Sequence, residues 1–324
     1  MLFEKSTSRL ACKSEPDPSA KTFELGKIIM KIITVTLAPA IDVTYALDKP
    51  VSDGLNRAKS FVLMAGGKGI NVSRAILGAA DGKEVPLLTV AAVGGASGGM
   101  FCDMLASEGM EVTRIPIAAP LRINVSAIPD EGEDCEINAP GAEMTADDLR
   151  AAETLILDAV EPGDVVCICG SCPKGVAKSY PAKLCAMVKE KGAVCVIDCD
   201  GEALKLAAES DCPPDYIKPN AGELAKLCAD LGIVCGTPAE NACAVCEKTG
   251  GVTTVITTLG GDGSMITWNG GQFTAKSRKV KPVRIKGAGD TFLGTFVYAK
   301  FLACMTNEEA VQEASDAATK YVEG

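Results

Sequence analysis

The stretch Ile32-Ile33-Thr34-Val35-Thr36-Leu37 is an unbroken run of apolar and β-branched residues, which is typical of a buried β-strand. Similar short runs recur along the chain at 85–93, 164–169, 193–198, 215–218, 253–259 and 263–268. Amphipathic stretches with helical periodicity lie between them, at 71–79, 97–108, 146–159, 177–191, 222–231, 238–249 and 289–304. Strands that alternate with helices predict an α/β fold in which helices cover both faces of a central, mostly parallel sheet.

Two regions depart from this alternation, residues 41–65 and 117–138. Each contains short segments with a period of two and no helix between them, so we expect a small β-strand cap that projects from the main sheet. No Pro-, Gly- or Ser-rich linker divides the chain, so we expect residues 30–324 to form a single domain. Residues 1–29 are polar and patternless, without an apolar signal region or a cleavage site. We predict that the folded domain begins near Met30 and that residues 1–29 are either a disordered extension or the result of a start codon assigned too early.

The composition excludes several classes of function. The 324 residues include 32 Lys and Arg against 42 Asp and Glu, a net charge of −10, which disfavours nonspecific binding to nucleic acid. The sequence contains no histidine, so Ser-His-Asp and Cys-His catalysis and histidine-ligated zinc are ruled out. We find no run of about 18 apolar residues and therefore expect no membrane span.

The fifteen cysteines are spread along the chain and do not follow a signal peptide. The nearest approach to a metal motif is Cys243-Ala-Val-Cys246, which lacks a second pair of this kind and whose spacing fits one face of a helix. Reduced thiols that serve as small core residues are the favoured interpretation. We accordingly expect a reducing compartment, the cytoplasm.

Three polar segments have the composition of phosphate-binding loops. The first is Gly66-Gly67-Lys68-Gly69, directly before a predicted helix. Glycines let backbone N–H groups approach a ligand closely, while the helix start and Lys68 supply positive charge. A glycine-rich turn that only caps an ordinary helix is the alternative, and the pattern is not that of a Walker A loop.

The second segment, Gly287-Ala288-Gly289-Asp290, opens the apolar helix predicted near the C-terminus. Its glycines free backbone N–H groups to bind an anion at the helix start. The carboxylate of Asp290 lies in the first turn, where it either caps the helix or takes a proton from a hydroxyl that attacks a bound phosphate. A base one turn from an anion site would align the two reactants of a phosphoryl transfer.

The third segment, Lys218-Pro-Asn220-Ala-Gly-Glu223, joins a predicted strand to a helix. Asn220 and Glu223 are three residues apart and can share one helical face. Oxygen ligands of this kind suit Mg²⁺ that is held mainly through waters and nucleotide phosphates. A capping box, with Asn220 as the N-cap and Glu223 at the third helical position, explains the same pattern equally well.

Taken together, these segments resemble the ribokinase-like sugar kinases, in particular the phosphofructokinase-B (PfkB) branch, which contains 1-phosphofructokinases and tagatose-6-phosphate kinases. The resemblance runs from about Met30 to the C-terminus. It rests on the three segments above and on Thr36-Leu-Ala-Pro-Ala-Ile-Asp42, Asn56-Arg57, Ile70-Asn-Val72, Arg122-Ile-Asn124, Ala139-Pro-Gly141, Gly170-Ser171 and Thr258-Leu-Gly-Gly-Asp-Gly-Ser264.

The resemblance implies a three-layer α/β/α ribokinase-like fold whose β cap closes as a lid over the sugar, and it implies a role for each matching residue. Asp290 would be the general base, beside an anion hole formed by the backbone of Gly287, Ala288 and Gly289. The sugar phosphate would be bound by Asp42, Gly66, Gly67, Lys68, Asn71 and Arg122. The nucleotide would be bound by Lys218, Asn220, Thr258, Gly260 and Gly263. Asn220 and Glu223 would organise Mg²⁺ through its waters.

The activity that this resemblance implies is transfer of phosphate from ATP, with Mg²⁺, to a ketohexose phosphate. Fructose 1-phosphate is the first expected acceptor, giving fructose 1,6-bisphosphate, followed by tagatose 6-phosphate and then fructose 6-phosphate. A sugar-phosphate sensor that has lost turnover is the remote alternative. Exposed lid strands often pair between subunits in this family, so a homodimer through those strands is the assembly to test.

Overall fold

The computed structural model describes residues 30–324, and the extension predicted at 1–29 lies outside the described residues. Within this part of the chain, nine strands form the main sheet: β1 (Ile32–Thr36), β4 (Leu87–Gly94), β5 (Thr113–Ile117), β8 (Val165–Cys169), β9 (Val194–Asp198), β10 (Tyr216–Ile217), β11 (Thr254–Thr258), β12 (Ser264–Trp268) and β13 (Gly271–Ala275). Their spatial order is β13-β12-β11-β10-β9-β8-β1-β4-β5. All neighbours are parallel except β11 with β12 and β12 with β13.

Helices cover both faces of this sheet, as the alternating pattern predicts. They are α1 (Lys68–Ala80), α2 (Gly95–Ser107), α3 (Ala146–Ala159), α4 (Tyr180–Glu190), α5 (Gly201–Ala208), α6 (Ala221–Asp230), α7 (Pro238–Lys248), α8 (Ala288–Val297) and α9 (Asn307–Glu323). The strand β1 is buried along its whole length between the two apolar cores, with Val35 in one and Ile32 in the other. The predicted α/β class is therefore confirmed.

Within residues 30–324, two strands and two α-helices are additional to the predicted ones: β5, β13, α5 and α9. The first two extend the main sheet at its two edges, and α9 packs against α8, β12 and β13. In residues 30–324 none of the helices combines the length and the apolar character that crossing a bilayer requires.

A second, smaller sheet stands apart from the main one. It contains β2 (Ala40–Leu47), β3 (Ser60–Gly66), β6 (Arg122–Pro129) and β7 (Cys135–Ile137), in the order β3-β2-β6-β7. These strands fall almost entirely within 41–65 and 117–138, the two regions where the sequence predicts a cap. In the register of β2 and β6, Asp42 lies opposite Asn124, which sets both side chains on one face. Closure of this sheet as a lid stays a prediction.

The helices α1 and α8 lie side by side in unusually close contact. Gly294 permits this contact, because a Cβ atom at that position would lie 2.5 Å from the Cβ of Ala75 and 2.5 Å from the carbonyl oxygen of Val72. Phe292 and Phe296 on α8 are buried in the same core as Val72 and therefore fix the pairing. The two glycine-rich turns that precede α1 and α8 thus open at the same end of the helix pair.

Candidate active site

The side chains of Asp290 and Asn71 join the two glycine-rich turns. Helix α8 follows Gly287, whose φ of 92° places it in the left-handed region, and Asp290 lies in the first turn of the helix. The Nδ2 atom of Asn71, in the first turns of α1, donates a hydrogen bond of 2.8 Å to Oδ2 of Asp290. Segments more than 200 residues apart in sequence therefore meet at one carboxylate.

The surroundings of Asp290 raise its pKa from the ordinary value of 3.8 to about 6. Burial is the largest cause, and the carboxylate of Asp198 acts in the same direction. The hydrogen bond from Asn71 and the charges of Lys218 and Lys68 lower the pKa, but they do not offset the burial. A carboxylate with this pKa is ionised at neutral pH and is a stronger base than an exposed one.

Asp198 is a site residue that the sequence analysis did not single out. It ends β9, is 1% exposed, and its Oδ1 atom lies 3.3 Å from Nζ of Lys68 and 3.4 Å from Nζ of Lys218. Its Oδ2 atom is buried and makes no hydrogen bond to any part of the chain that the structure describes. The signal was available, since a carboxylate that ends a buried parallel strand lies where α/β proteins bind their ligands.

Lys68 keeps its positive charge in this half-buried position. Burial is the largest single influence and lowers the pKa of Lys68, but the carboxylates of Asp198, Glu223 and Asp290 together raise it above the ordinary 10.5. The ammonium group therefore lies among three carboxylates, at the start of α1. A cation held in this way can attract a phosphate without being neutralised.

Asp42, one of the residues predicted to bind the sugar, lies on the same face of the small sheet as Asn124. The Oδ1 atom of Asp42 accepts a 2.8 Å hydrogen bond from Nδ2 of Asn124. A Cβ atom at Gly66 would lie only 2.3 Å from Oδ2 of Asp42, so the glycine is required for the close approach. Gly67, with a φ of 132°, then turns the chain into α1. The structure thus brings Asp42 next to the first glycine-rich turn.

Arg122 lies at the edge of the same region, with its guanidinium bonded to backbone. Its Nη2 and Nη1 atoms donate to the carbonyl oxygens of Ala38 (3.0 Å) and Ala139 (3.2 Å), whereas its buried Nε makes no hydrogen bond within residues 30–324. Binding of a substrate phosphate by Arg122 stays a prediction, and these bonds to the two loops would compete with it.

The residues predicted to bind the nucleotide follow the carboxyl ends of β10 and β11. The ammonium group of Lys218 is almost fully buried, 3.6 Å from the position that a Cβ of Gly289 would occupy. Thr258 ends β11 and pairs with Asn220 through a parallel bridge. A short 3₁₀ turn follows, bounded by Gly260 (φ 60°) and Gly263 (φ 107°).

Asn220 and Glu223 form a capping box, which is one of the two interpretations that their spacing allows. Oδ1 of Asn220 accepts from the backbone N–H of Glu223, and Oε2 of Glu223 accepts from the backbone N–H of Asn220, both at 2.9 Å. The second carboxylate oxygen of Glu223, Oε1, takes no part in this box.

Among residues 30–324, no three His, Cys, Asp or Glu side chains converge as a cage for a metal ion, and Cys243 and Cys246 lie on α7 as free thiols.

The C-terminal helix supports the turn before α8. The hydroxyl of Tyr321 donates a 2.9 Å hydrogen bond to the carbonyl oxygen of Lys286, and the guanidinium of Arg284 lies 3.9 Å from the centre of the Tyr321 ring. A Cβ atom at Gly287 would lie 2.6 Å from the same hydroxyl oxygen. The last turn of α9 therefore contacts the backbone that leads into the predicted anion hole.

This part of the α/β/α scaffold brings together a buried carboxylate, two glycine-rich helix starts and two ammonium groups, which are the kinds of group that phosphoryl transfer to an alcohol uses. The chain belongs to the pfkB family carbohydrate kinases, whose family profile matches residues 31–323. It is a phosphotransferase with an alcohol group as acceptor, and membership of this family implies ATP as the phosphoryl donor.

Two curated relatives align with nearly the whole described chain. The 1-phosphofructokinase of Bacillus subtilis (strain 168) is 31% identical over 285 residues, which cover 87% of this chain and 88% of that protein. The tagatose-6-phosphate kinase of Staphylococcus epidermidis is 28% identical over 285 residues, covering 88% and 89% respectively.

Solved structures confirm the predicted ribokinase-like fold. The crystal structure of phosphofructokinase-2 from Escherichia coli in complex with fructose-6-phosphate matches with a TM-score of 0.81 and 27% identity, over 90% of this chain and 94% of that chain. A second structure of the same enzyme, described as its tetrameric inhibited form, matches with the same TM-score and identity over the same shares.

Proposed function

We propose that this chain transfers the γ-phosphoryl group of ATP to a primary hydroxyl of a ketohexose phosphate. Fructose 1-phosphate is the preferred acceptor in this proposal, and fructose 1,6-bisphosphate is the product. The observation that carries the proposal is the bond between Asn71 and Asp290, which sets a carboxylate of raised pKa between two glycine-rich helix starts. The names of the two curated relatives support an acceptor that already bears a phosphate.

Asp290 acts as the general base. Its Oδ2 atom is held by Asn71, so Oδ1 is the oxygen that accepts the proton of the attacking hydroxyl. With a pKa of about 6, the carboxylate is mostly ionised at pH 7. This pKa is also near enough to the working pH for the carboxylate to accept a proton efficiently. The hydroxyl oxygen attacks the γ-phosphorus, the bond to the β-phosphate oxygen breaks, and ADP leaves with that electron pair.

Positive charge and backbone N–H groups stabilise the transferring phosphoryl group. The N–H groups of Gly287, Ala288 and Gly289 open α8, where four backbone donors have no partner within the helix. The N–H of Ala288 donates to the carbonyl oxygen of Ile285 at 3.1 Å, so it would have to leave this bond to reach a phosphate oxygen. Lys218 lies against Gly289 on the nucleotide side, and Lys68 lies on the side of the acceptor. Apart from the N–H of Ala288, these groups are held in place before the reaction, so little reorganisation is required as charge develops.

The residues around Lys68 fit a magnesium ion that is held mainly by phosphate oxygens and water. The buried Oδ2 atom of Asp198 lacks a partner in the described chain, and Glu223 keeps one oxygen outside its capping box. When bound, Mg²⁺ neutralises phosphate charge, while Asp198, Asn220 and Glu223 would hold its water ligands.

The small sheet closes over the acceptor and excludes water, with Asp42 and Asn124 as hydrogen-bonding partners of the sugar hydroxyls. Its other face exposes Phe61, Ile123 and Ile137, each at least half accessible. An apolar face of this kind supports a homodimer through the small sheet, and a relative of this chain is described as tetrameric. The ATP-dependent reaction and the free thiols fit a cytoplasmic location.

The test is a coupled assay of ADP release with fructose 1-phosphate, tagatose 6-phosphate, fructose 6-phosphate and unphosphorylated fructose, each with and without Mg²⁺. We expect the highest kcat/KM for fructose 1-phosphate, tagatose 6-phosphate second, and no turnover without Mg²⁺. A preference for unphosphorylated fructose would overturn the role of Lys68. Binding of a sugar phosphate without any turnover would favour the sensor.

A matched pair of variants tests the cation at the acceptor site. Lys68→Gln removes the ammonium group at the start of α1, whereas Lys83→Gln removes an exposed one in the turn after that helix. We expect Lys68→Gln to raise the KM for the phosphorylated acceptor about tenfold or more, because hydrogen bonds to charged groups contribute about 1.5–3 kcal/mol. Equal KM values in the two variants would argue against contact between Lys68 and the substrate.

A further inference from the structure

The hydrogen bond between Asn71 and Asp290 depends on which end of the Asn71 amide faces the carboxylate. The two ends have almost the same shape, but the nitrogen donates and the oxygen only accepts. With the nitrogen towards Asp290, the amide stabilises the ionised carboxylate. With the oxygen towards it, the amide would repel the carboxylate and stabilise its protonated form. The ionised carboxylate itself favours the nitrogen end, and a donor at the oxygen end would hold the same orientation when the carboxyl is protonated.

Arg74 has the chemistry and the position to act as this donor. It follows Asn71 by three residues on α1, so the two side chains share one face of the helix. Its Nη1 atom donates a 2.8 Å hydrogen bond to Oδ1 of Asn71. A guanidinium group has donors only and can bind just the oxygen end of the amide. The bond from Arg74 thereby leaves the Nδ2 end of Asn71 towards Asp290.

The guanidinium group is itself fixed on two further sides. Its Nη2 atom donates to the carbonyl oxygen of Ala65 at 2.6 Å, and Nε and Nη2 together bind both carboxylate oxygens of Glu108, which follows the end of α2. Ala65 directly precedes the Gly66-Gly67 turn. Arg74 thus joins the partner of the base to the backbone of the acceptor site, and a bidentate ion pair restrains its rotation.

We infer that Arg74 is a positioning residue for catalysis: it orients the Asn71 amide so that an N–H group, and not the carbonyl oxygen, faces the Asp290 carboxylate. This inference rests on the proposed role of Asp290 as the base. Arg74 itself contacts neither the hydroxyl nor the phosphate in this arrangement. Its effect on the reaction passes through one amide group.

The inference predicts a specific change in pH dependence. Asp290 is surrounded by Lys68 on α1, Asp198 and Cys169 at the ends of β9 and β8, and Lys218 after β10. A substitution of Arg74 leaves all of these charged groups in place, and among the groups that contact the carboxylate it acts on the Asn71 amide; it also removes the bonds to Ala65 and Glu108. If the amide turns its oxygen towards Asp290, a stabilising hydrogen bond to the ionised form is lost and the pKa rises.

The experiment compares the full-length wild type with Arg74→Met, Arg74→Lys and Glu108→Gln. For each protein, kcat is measured from pH 5 to 9, together with the KM for fructose 1-phosphate and the melting temperature. We expect Arg74→Met to move the acid limb of the kcat profile to a pH about one unit higher. A shift of this size corresponds to the loss of one hydrogen bond to the ionised carboxylate. At pH 6 its kcat should fall about fivefold, because the ionised fraction of Asp290 drops from about a half to about a tenth.

The other two variants separate positioning from general stability. Arg74→Lys keeps one donor for Asn71 and should restore part of the wild-type pH profile. Glu108→Gln weakens the ion pair but keeps the bond from Arg74 to Asn71, so it should leave the acid limb in place even if it melts earlier. An unchanged acid limb in Arg74→Met, whatever its melting temperature, would overturn the inference. If Arg74→Met fails to fold, Arg74→Ala replaces it under the same criterion.

Failure of this inference can be told apart from failure of the proposed function. Asp290→Asn is assayed in parallel under the same conditions. If that variant is inactive while Arg74→Met keeps the wild-type pH profile, the base is correctly assigned and only the role of Arg74 is wrong. If Asp290→Asn keeps its activity, the proposed base itself is wrong.

Discussion

Replacement of Asp290 by Asn should abolish turnover and at the same time make the protein more stable. The pKa of Asp290 is about 6 in the folded protein and 3.8 in an ordinary environment, a gap of about 2.2. At about 1.4 kcal/mol for each pKa unit, the ionised carboxylate costs the folded state up to about 3 kcal/mol at neutral pH. The amide of Asn carries no charge and can still accept the hydrogen bond from Asn71.

The sign of this effect depends on pH in a defined way. Because the folded pKa is the higher one, the penalty is absent below about pH 3, where the carboxyl is protonated in both states, and complete above about pH 7. Asp290→Asn should therefore raise the melting temperature by up to about 5 °C at pH 7.5. At pH 4.5 the remaining gain corresponds to only about 1 kcal/mol. Loss of a general base should lower kcat by about 10²–10⁴-fold at pH 7.5, where the wild-type carboxylate is ionised.

The assay pairs thermal unfolding at the two pH values with ADP release at pH 7.5. Asp103→Asn is the control, since Asp103 is an exposed residue on α2, and it should change neither quantity appreciably. The reasoning fails if Asp290→Asn melts below the wild type at pH 7.5, or if its gain in stability is independent of pH. Residual activity above about a tenth of the wild type would refute the assignment of the base.

Three further outcomes are expected. Gly294→Ala should lower the free energy of unfolding by about 1–3 kcal/mol, because the added methyl group forces α1 and α8 apart. Gly99→Ala, in open space on α2, should raise the free energy of unfolding by up to about 1 kcal/mol. Urea titration measures both changes. The kcat of the wild type should fall below about pH 6 as Asp290 becomes protonated, and a flat profile down to pH 5 would contradict this. Gly287→Ala should lower kcat by about 10²-fold by displacing anion-binding N–H groups, while Gly270→Ala, with a similar φ of 90° but no atom nearby, should keep its turnover in the same ADP assay.

The sequence analysis located the main elements because burial of a parallel sheet requires a strong local pattern. Residues of β1 are apolar or β-branched without exception, since both faces of that strand are covered. The helix α5 was missed because it is eight residues long and begins at Gly201, a residue more typical of a turn. The helix α9 was missed although Thr306 and Glu309 form a capping box, which is a readable signal for a helix start.

The site was predictable in its parts, but its contacts were not. Local spacing indicates that Asn220 and Glu223 interact, yet it does not distinguish a cap from a metal ligand, because the same side-chain oxygens serve both. The pairing of Asn71 with Asp290 depends on how α1 packs on α8, which no local pattern specifies. Asp198 was overlooked for a similar reason, since its partners Lys68 and Lys218 come from two other parts of the chain.

The bond from the Tyr321 hydroxyl to the carbonyl oxygen of Lys286 makes the last turn of α9 sensitive to events at the start of α8. Terminal turns of helices normally fray and exchange their amide hydrogens rapidly. Here, fraying would also release the backbone next to Gly287, so occupancy of that turn by an anion should slow the exchange of the C-terminal amides. Linkage requires the converse as well: a fusion or truncation that loosens the end of the chain should weaken anion binding by the same free energy.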